Sequence, residues 1–342
     1  LLLLYSNASG SRNIVYQNQQ KIALFMAIFM TIFVGLRPVD AAFADMVGYD
    51  AGLSEFYGKF HFDWNVQNKI FDNFYAFFGT YNLGGNLFFT TIAAIYFLTA
   101  YYAMKRLFPN DIYIAYLVFL GAFSTFSYGT NGMKAGMAAS IFLLALAYRD
   151  KLKVCIPLLL ISWGFHHSMH LSLAAFALTL IYKNSKTYFL FWFVCFLLAC
   201  FHVTSFQEWF GGLTDEKGAG YLLVENEESD DTIKGFRFDF ILYSAMPIVV
   251  GWYAVYRKGL QLSKFYTCLL NLYLTTNAIW MLCMYASFTN RIAYLSWQLY
   301  PVVLIYPFLN EDWGEKKYKI LGTVAGLHLA FTLFMTWVYY AD

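Results

Sequence analysis

The chain has 342 residues, of which 60% are hydrophobic, 21% aromatic and only 13% charged, about half the ~25% charged share of soluble domains. A soluble globule of this size cannot hide so many apolar faces, whereas a bilayer can, and the composition also excludes disordered, collagen-like and disulfide-rich secreted classes. The formal net charge of +2 says little; the distribution of charge along the chain says more.

In chain order, apolar runs fall at 1–5, 20–36, 83–103, 112–128, 135–148, 154–182, 187–206, 238–256, 263–286, 292–309 and 319–340. A crossing helix needs ~20 apolar residues at ~1.5 Å rise each. The pattern predicts an all-α, polytopic integral membrane protein with about ten to twelve transmembrane helices, forming a single transmembrane domain over 1–342. The opening Leu1-Leu2-Leu3-Leu4 carries no Met and no basic flank, so the sequence is expected to begin inside its first helix rather than with a signal peptide. Cys155, Cys195, Cys200, Cys268 and Cys283 lie in apolar runs without C-x-x-C spacing and read as small core residues.

Short basic loops mark the cytoplasmic face. Alternate breaks, from Arg12/Lys21 and Lys105/Arg106 to Lys316/Lys317/Lys319, hold 15 of the 23 Lys and Arg, and the intervening breaks hold 8. Acidic residues divide the other way, giving faces of +10 and −8. Residues 154–182 have basic residues at both ends, Lys153 and Lys183, which puts both ends on the cytoplasmic side. The segment then reads as a re-entrant or broken helix turning at Gly164-Phe165-His166-His167-Ser168-Met169-His170, against one long tilted helix. Two stretches, 37–82 and 207–237, read as long extracytoplasmic loops, the first aromatic enough to lie in amphipathic pieces along the interface.

Four polar clusters end apolar runs on the outer side: Gly35-Leu36-Arg37-Pro38, Tyr128 to Lys134, the His166/His167/His170 apex, and Phe288-Thr289-Asn290-Arg291. A lone Arg or Lys at a helix end commonly snorkels to headgroups. Arg37, Lys134 and Arg291 on one face with a His cluster instead suit an anionic substrate, since phosphate and pyrophosphate are held by Arg forks and Lys point charges. Lys134 opens the run 135–148, where free helix N–H groups also favour anions. His166 and His170, four apart, would share a helix face and are open to three readings: a structural pair, two ligands of a metal lacking a clear third, or a general base. His61, His202 and His328 carry no assigned role. No Walker A loop, Rossmann fingerprint, G-x-S-x-G elbow or H-E-x-x-H occurs.

At these clusters the sequence resembles the EpsG family, Wzy-like polymerases of bacterial exopolysaccharides, capsules and O-antigens. The matching pieces are Gly35-Leu36-Arg37 with Asp45-x-x-x-Tyr49, Asn131-Gly132-Met133-Lys134, Phe165-His166-His167-Ser168, and Asn290-Arg291. One departs: the family pattern N-G-x-R has Lys134 here, which keeps the charge and loses the bidentate fork. The resemblance implies a GT-C-like helical membrane glycosyltransferase in the bacterial inner membrane. Its donor and acceptor would be polyprenyl-pyrophosphate-linked oligosaccharides, with no metal, no cofactor and no nucleic-acid partner. It further implies His166 as the base on the acceptor hydroxyl and His170 orienting the acceptor or His166. Arg37, Lys134 and Arg291 would hold pyrophosphate, with Asp45, Tyr49 and Asn131 at the substrate. Flippase and chain-length regulator proteins are the implied protein partners. Three alternatives stand beside it: a flippase for lipid-linked saccharide, which should show paired broken helices where the sequence shows one; a membrane O-acyltransferase; and a glycan ligase using the same chemistry.

The charge split makes the topology testable. Single cysteines at Ser185 and Ser229 should react with an impermeant thiol reagent from opposite sides of the membrane.

Overall fold

The computed structural model describes residues 9–211, 235–286 and 289–340. The opening leucine run, residues 212–234 with the acidic stretch of the second loop and Ser229, and Phe288 of the fourth cluster lie outside the described residues. Every regular element among the described residues is helical. Five helices are long and apolar enough to cross a membrane: Asn18–Gly35, Gly85–Leu107, Phe238–Arg257, Asn290–Asn310 and Lys317–Val338. The count is six if the bent pair Ile112–Leu120 and Phe123–Thr130 is one span. Met133–Ala147, Leu152–Phe165, Met169–Ile181 and Ser185–Cys200 are apolar but shorter. The chain is an all-helical, multi-pass membrane protein whose apolar segments fall into these two length classes.

The chain divides into two compact units, Leu1–His167 with Gly322–Asp342, and Ser168–Leu321. The first holds α1 (Ser9–Gly35), α2 (Ala44–Leu53), α3 (Lys69–Thr80), α4 (Gly85–Leu107), α5 (Ile112–Leu120), α6 (Phe123–Thr130), α7 (Met133–Ala147) and α8 (Leu152–Phe165). The stretch 37–82, expected as a loop, thus contains two helices. Packing runs α1 on α4, α4 on α7, α7 on α8 and α3 on α8. Buried Ala23, Ala27, Ala93, Ala100 and Ala103 supply the small side chains that let apolar helices approach closely where lipid removes the hydrophobic drive between them. At Gly35 a Cβ would lie 2.6 Å from Thr90 Cα. Any side chain there would push α1 off α4.

The helix ends of this unit sort by chemistry. At one end, Gln19 Nε2 donates to Asn110 O at 2.7 Å. At that end too, Arg106 donates to Ala147 O at 2.6 Å and grips both Asp150 oxygens at 2.7 and 2.6 Å. That guanidinium holds the Asp150 carboxyl below its ordinary range. The other end gathers Arg37, Lys134 and His166.

The run 112–128 was expected as one uninterrupted span, and the structure corrects this: α5 and α6 meet at 67°. The hydrogen-bond ladder slips at the junction, with Gly121 N–H on Leu117 O and Ala122 N–H on Phe119 O. That registry denies Val118 O its usual partner from residue 122. His328 supplies one, with Nε2 3.3 Å from Val118 O, from α16 (Lys317–Tyr340). Thr125 Oγ1 adds a second donor to Phe119 O at 2.6 Å. A break at membrane depth persists only when side chains re-satisfy the freed carbonyls, as these two do.

The second unit holds α9 (Met169–Ile181), α10 (Ser185–Cys200), α11 (Phe206–Gly211), α12 (Phe238–Trp252) running into a π-helical turn at Tyr253–Arg257, α13 (Lys264–Leu282), α14 (Asn290–Trp297) and α15 (Tyr300–Asn310). Central α13 packs on α9, α10, α12, α14 and α15. Two of its buried polar side chains tie it to neighbours: Trp192 Nε1 donates to Asn277 Oδ1 at 2.7 Å, Asn277 Nδ2 to Ser296 Oγ at 3.1 Å, and Tyr273 OH to Ser244 O at 2.9 Å. Trp297 Nε1 donates to Ser244 Oγ at 2.7 Å inside an aromatic cluster with Tyr243 and Tyr300.

Segment 154–182 is a broken helix, α8 and α9 separated by His166-His167-Ser168, and not one long tilted helix. The bent pair α5/α6 is a further interruption that the sequence did not show. The cysteines also divide: Cys155, Cys195 and Cys283 are buried as expected, Cys268 is half-buried beside Thr179, and Cys200 is exposed.

His328→Leu should leave Val118 O unsatisfied in an apolar setting at a cost of about 1–3 kcal/mol. The expected readout is a lower Tm of the purified protein in detergent, with His328→Gln, which keeps an N–H donor, recovering most of the loss.

Candidate active site

Arg37 follows the end of α1, and its guanidinium folds back onto backbone. Nη1 donates to Val34 O at 2.5 Å and Nη2 to Thr130 O at 2.8 Å, with Met133 Sδ at 3.5 Å. Both carbonyls are at helix C-termini, α1 and α6, where four C=O groups lack intrahelical partners and the dipole favours a cation. The rings of Phe43 and Phe89 lie 5.0 and 6.0 Å from the guanidinium carbon. Burial pushes the Arg37 guanidinium down from its ordinary range to about 10, so it stays protonated at neutral pH, at a desolvation cost that a bound anion would relieve. Among the described residues its Nε is buried without a hydrogen-bond partner, as is Asn131 Oδ1 on the turn it grips.

That turn starts α7, and Lys134 is its second residue. A cation at a helix N-terminus opposes the dipole, so this position is unfavourable for stability alone and doubly attractive to an anion. Lys134 Nζ lies 5.7 Å from the Phe71 ring centroid. Tyr49 stands edge-on to Phe71 and Tyr75, at 5.4 Å from each, and Tyr75 OH donates to Tyr49 O at 2.7 Å. Asp45, half-buried, precedes Tyr49 by one turn of α2.

α8 closes on His166 N–H to Ser162 O at 3.2 Å, and His166 then turns extended at φ −145°, ψ 118°. The next amide leaves the helix: His167 N–H donates to Asn68 Oδ1 at 2.8 Å. Ser162 Oγ donates to Ala138 O at 2.7 Å, fastening α8 to α7. Lys134 is one turn before that contact and His166 one turn after it, so they finish their helices at the same end of the unit. Arg37, Asn131, Lys134, Tyr49 and His166 are thereby gathered at one end of the first unit, with Asp45 on the adjoining helix.

The expectation that His166 and His170 share a helix face is overturned. The helix breaks at 166–168, His166 has left helical geometry, and His170 is the second residue of α9 in the other unit. Their i, i+4 spacing therefore carries no geometry. Among the described residues no three His, Cys, Asp or Glu are grouped to hold a metal ion.

In the second unit His170 is half-buried, and two residues on, Ser172 Oγ accepts from Gln298 Nε2 at 3.0 Å. Arg291 is exposed and is the second residue of α14, the position Lys134 has in α7. Thr289, just before α14, accepts from Trp280 Nε1 at 2.9 Å and donates to Cys283 O at 3.2 Å, and Asn290 Nδ2 donates to Tyr294 OH at 3.4 Å.

Sequence reasoning missed Phe43, Asn68, Phe71 and Thr130. Asn68 carried a signal, an Asn directly before a helical pattern with Asp72 in its first turn. The partner of its oxygen was not readable.

Arg37→Ala should lower Tm, because two helix-end carbonyls lose a charge-assisted donor. If Arg37 also holds a phosphate-bearing ligand, the variant should bind that ligand about 10–100-fold more weakly, at ~1.5–3 kcal/mol per charged contact. Unchanged affinity in the folded variant would assign Arg37 to the carbonyls alone.

The sequence model of the EpsG family matches residues 21–342, nearly the whole chain. No curated protein and no solved structure matches the chain. Coverage of this extent, on a multi-pass helical membrane protein, supports a role of the exopolysaccharide-polymerase type. The chain belongs to the EpsG family, a family of Wzy-like polymerases.

Proposed function

We propose that this protein polymerises polyprenyl-pyrophosphate-linked oligosaccharide units on the outer face of a bacterial inner membrane, with His166 as general base. The observation that carries the reading is a half-buried Arg37, its Nε unpartnered, seated on the turn that starts the Lys134 helix, at the same end of the first unit as His166. An anion there meets two cations and a helix N-terminus, the preorganised donors that stabilise a departing pyrophosphate. The acceptor hydroxyl oxygen forms the new bond to the anomeric carbon as the bond to pyrophosphate oxygen breaks. The proton passes to the His166 imidazole, and direct displacement inverts the anomeric centre. The leaving pyrophosphate stays on its lipid, its charge held by Arg37 and Lys134. Asp45, Tyr49 and Asn131 line the substrate; the substrate roles that the resemblance implies for Arg291 and His170 fall on the second unit. A flippase and a chain-length regulator would be its protein partners.

A positioned base contributes ~10²–10⁴-fold to rate. His166→Ala should therefore abolish long chains made from purified lipid-linked repeat units, with chelator present, while donor binding persists. Lys134→Arg, which restores the family residue, should preserve activity. Near wild-type polymer from His166→Ala with a dead His170→Ala would move the base to His170, and activity in both would sink the mechanism.

A further inference from the structure

We propose that Asn68 is a positioning residue for His166, resting on the reading of His166 as the base. Asn68 sits at the N-cap of α3, where an Asn side-chain oxygen normally accepts an N–H from the second or third helical residue. Here it makes no such capping bond. Its Oδ1 instead accepts the His167 N–H at 2.8 Å, from a residue 99 positions along the chain. Asn68 is only 4% exposed, so that bond is not exchanged freely with water.

The bonded amide is the 166–167 peptide itself. Fixing its N–H direction fixes the plane on which the His166 Cα, and so the imidazole, is carried. No helix does this work, since His166 is already extended. The strut is in turn anchored. Asn68 N–H donates to Asp72 Oδ2 at 3.0 Å, and Asp72 N–H to Asn68 O at 2.8 Å. The start of α3 is pressed against the end of α8 at Gly164, where a Cβ would lie 2.6 Å from Ile70 side-chain atoms. The loop before Asn68 is pinned as well: Asn73 accepts from Asp63 N–H at 2.7 Å and donates back to Asp63 O at 2.8 Å. Asn68 thus gives up capping its own helix to hold the break that carries His166.

The test compares Asn68→Ala with Asn68→Asp, which keeps a side-chain oxygen acceptor, in the full-length protein. Hydrogen exchange by mass spectrometry reads the amides of 166–168, and polymerisation of purified lipid-linked repeat units gives kcat and KM. Asn68→Ala should speed exchange at 166–168 and lower kcat about 10–100-fold, the scale on which a ~1 Å misplacement acts, with KM for the lipid donor little changed. Asn68→Asp should restore both. Exchange at 166–168 left as in wild type, or faster exchange with kcat unchanged, would overturn the positioning role. A merely structural role would appear as lower yield and Tm with kcat per folded molecule intact. His166→Ala, run alongside, separates the two ideas: if it polymerises normally, the reading of His166 fails first, whatever Asn68 does.

Discussion

A backbone carbonyl or amide at a helix end in an apolar surround has no water to bond, and leaving it unpaired costs free energy on the scale of a lost hydrogen bond. The first unit answers this constraint with side chains from distant helices. Arg37 covers the ends of α1 and α6, Arg106 the end of α7, His328 the end of α5, and Asn68 the amide beyond α8. Each bond joins segments far apart in sequence, except that to Val34. The same bonds that satisfy helix ends set the register of one helix against another. At the end with Arg37, Lys134 and His166, that register is also the geometry of the candidate site.

The two cations of this end meet different surroundings. The Arg37 guanidinium reaches two carbonyls in different directions and still has Nε left over, which only a five-donor planar fork allows. A Lys ammonium at 37 would have to give up one helix end or the other. At Lys134 the surroundings differ. Its ammonium lies over the Phe71 ring at the start of a helix, and a point charge meets both demands.

Apolar segments, the position of Arg37 and Lys134 at helix ends, and a break near His166 were legible because composition and punctuation report them directly. The break between α5 and α6 was not, since Leu120-Gly121-Ala122-Phe123 stays apolar throughout and nothing local marks the lost bond at Val118. The shared face of His166 and His170 was misread for a related reason. Spacing of four implies a face only if the helix continues, and an all-round apolar segment shows no periodicity to lose when it stops. Asn68 and Phe71 were hidden because their roles exist only across the fold: neither the His167 amide nor the Lys134 ammonium is near them in sequence.

The boundary between the two compact units falls between His167 and Ser168, immediately after the residue that Asn68 holds. A histidine at such a boundary could in principle follow either unit. The Asn68 bond, with the Ser162 contact to α7, ties His166 to the body that carries Arg37 and Lys134. The spacing between His166 and these two cations is therefore set within one body. His170 and Arg291 belong to the second unit, held by the packing of α9 and α14 on α13. In the proposed reaction, proton removal and pyrophosphate stabilisation by Arg37 and Lys134 form one preorganised set. What His170 and Arg291 add depends on a different body, so substitutions within the first set should couple strongly to one another.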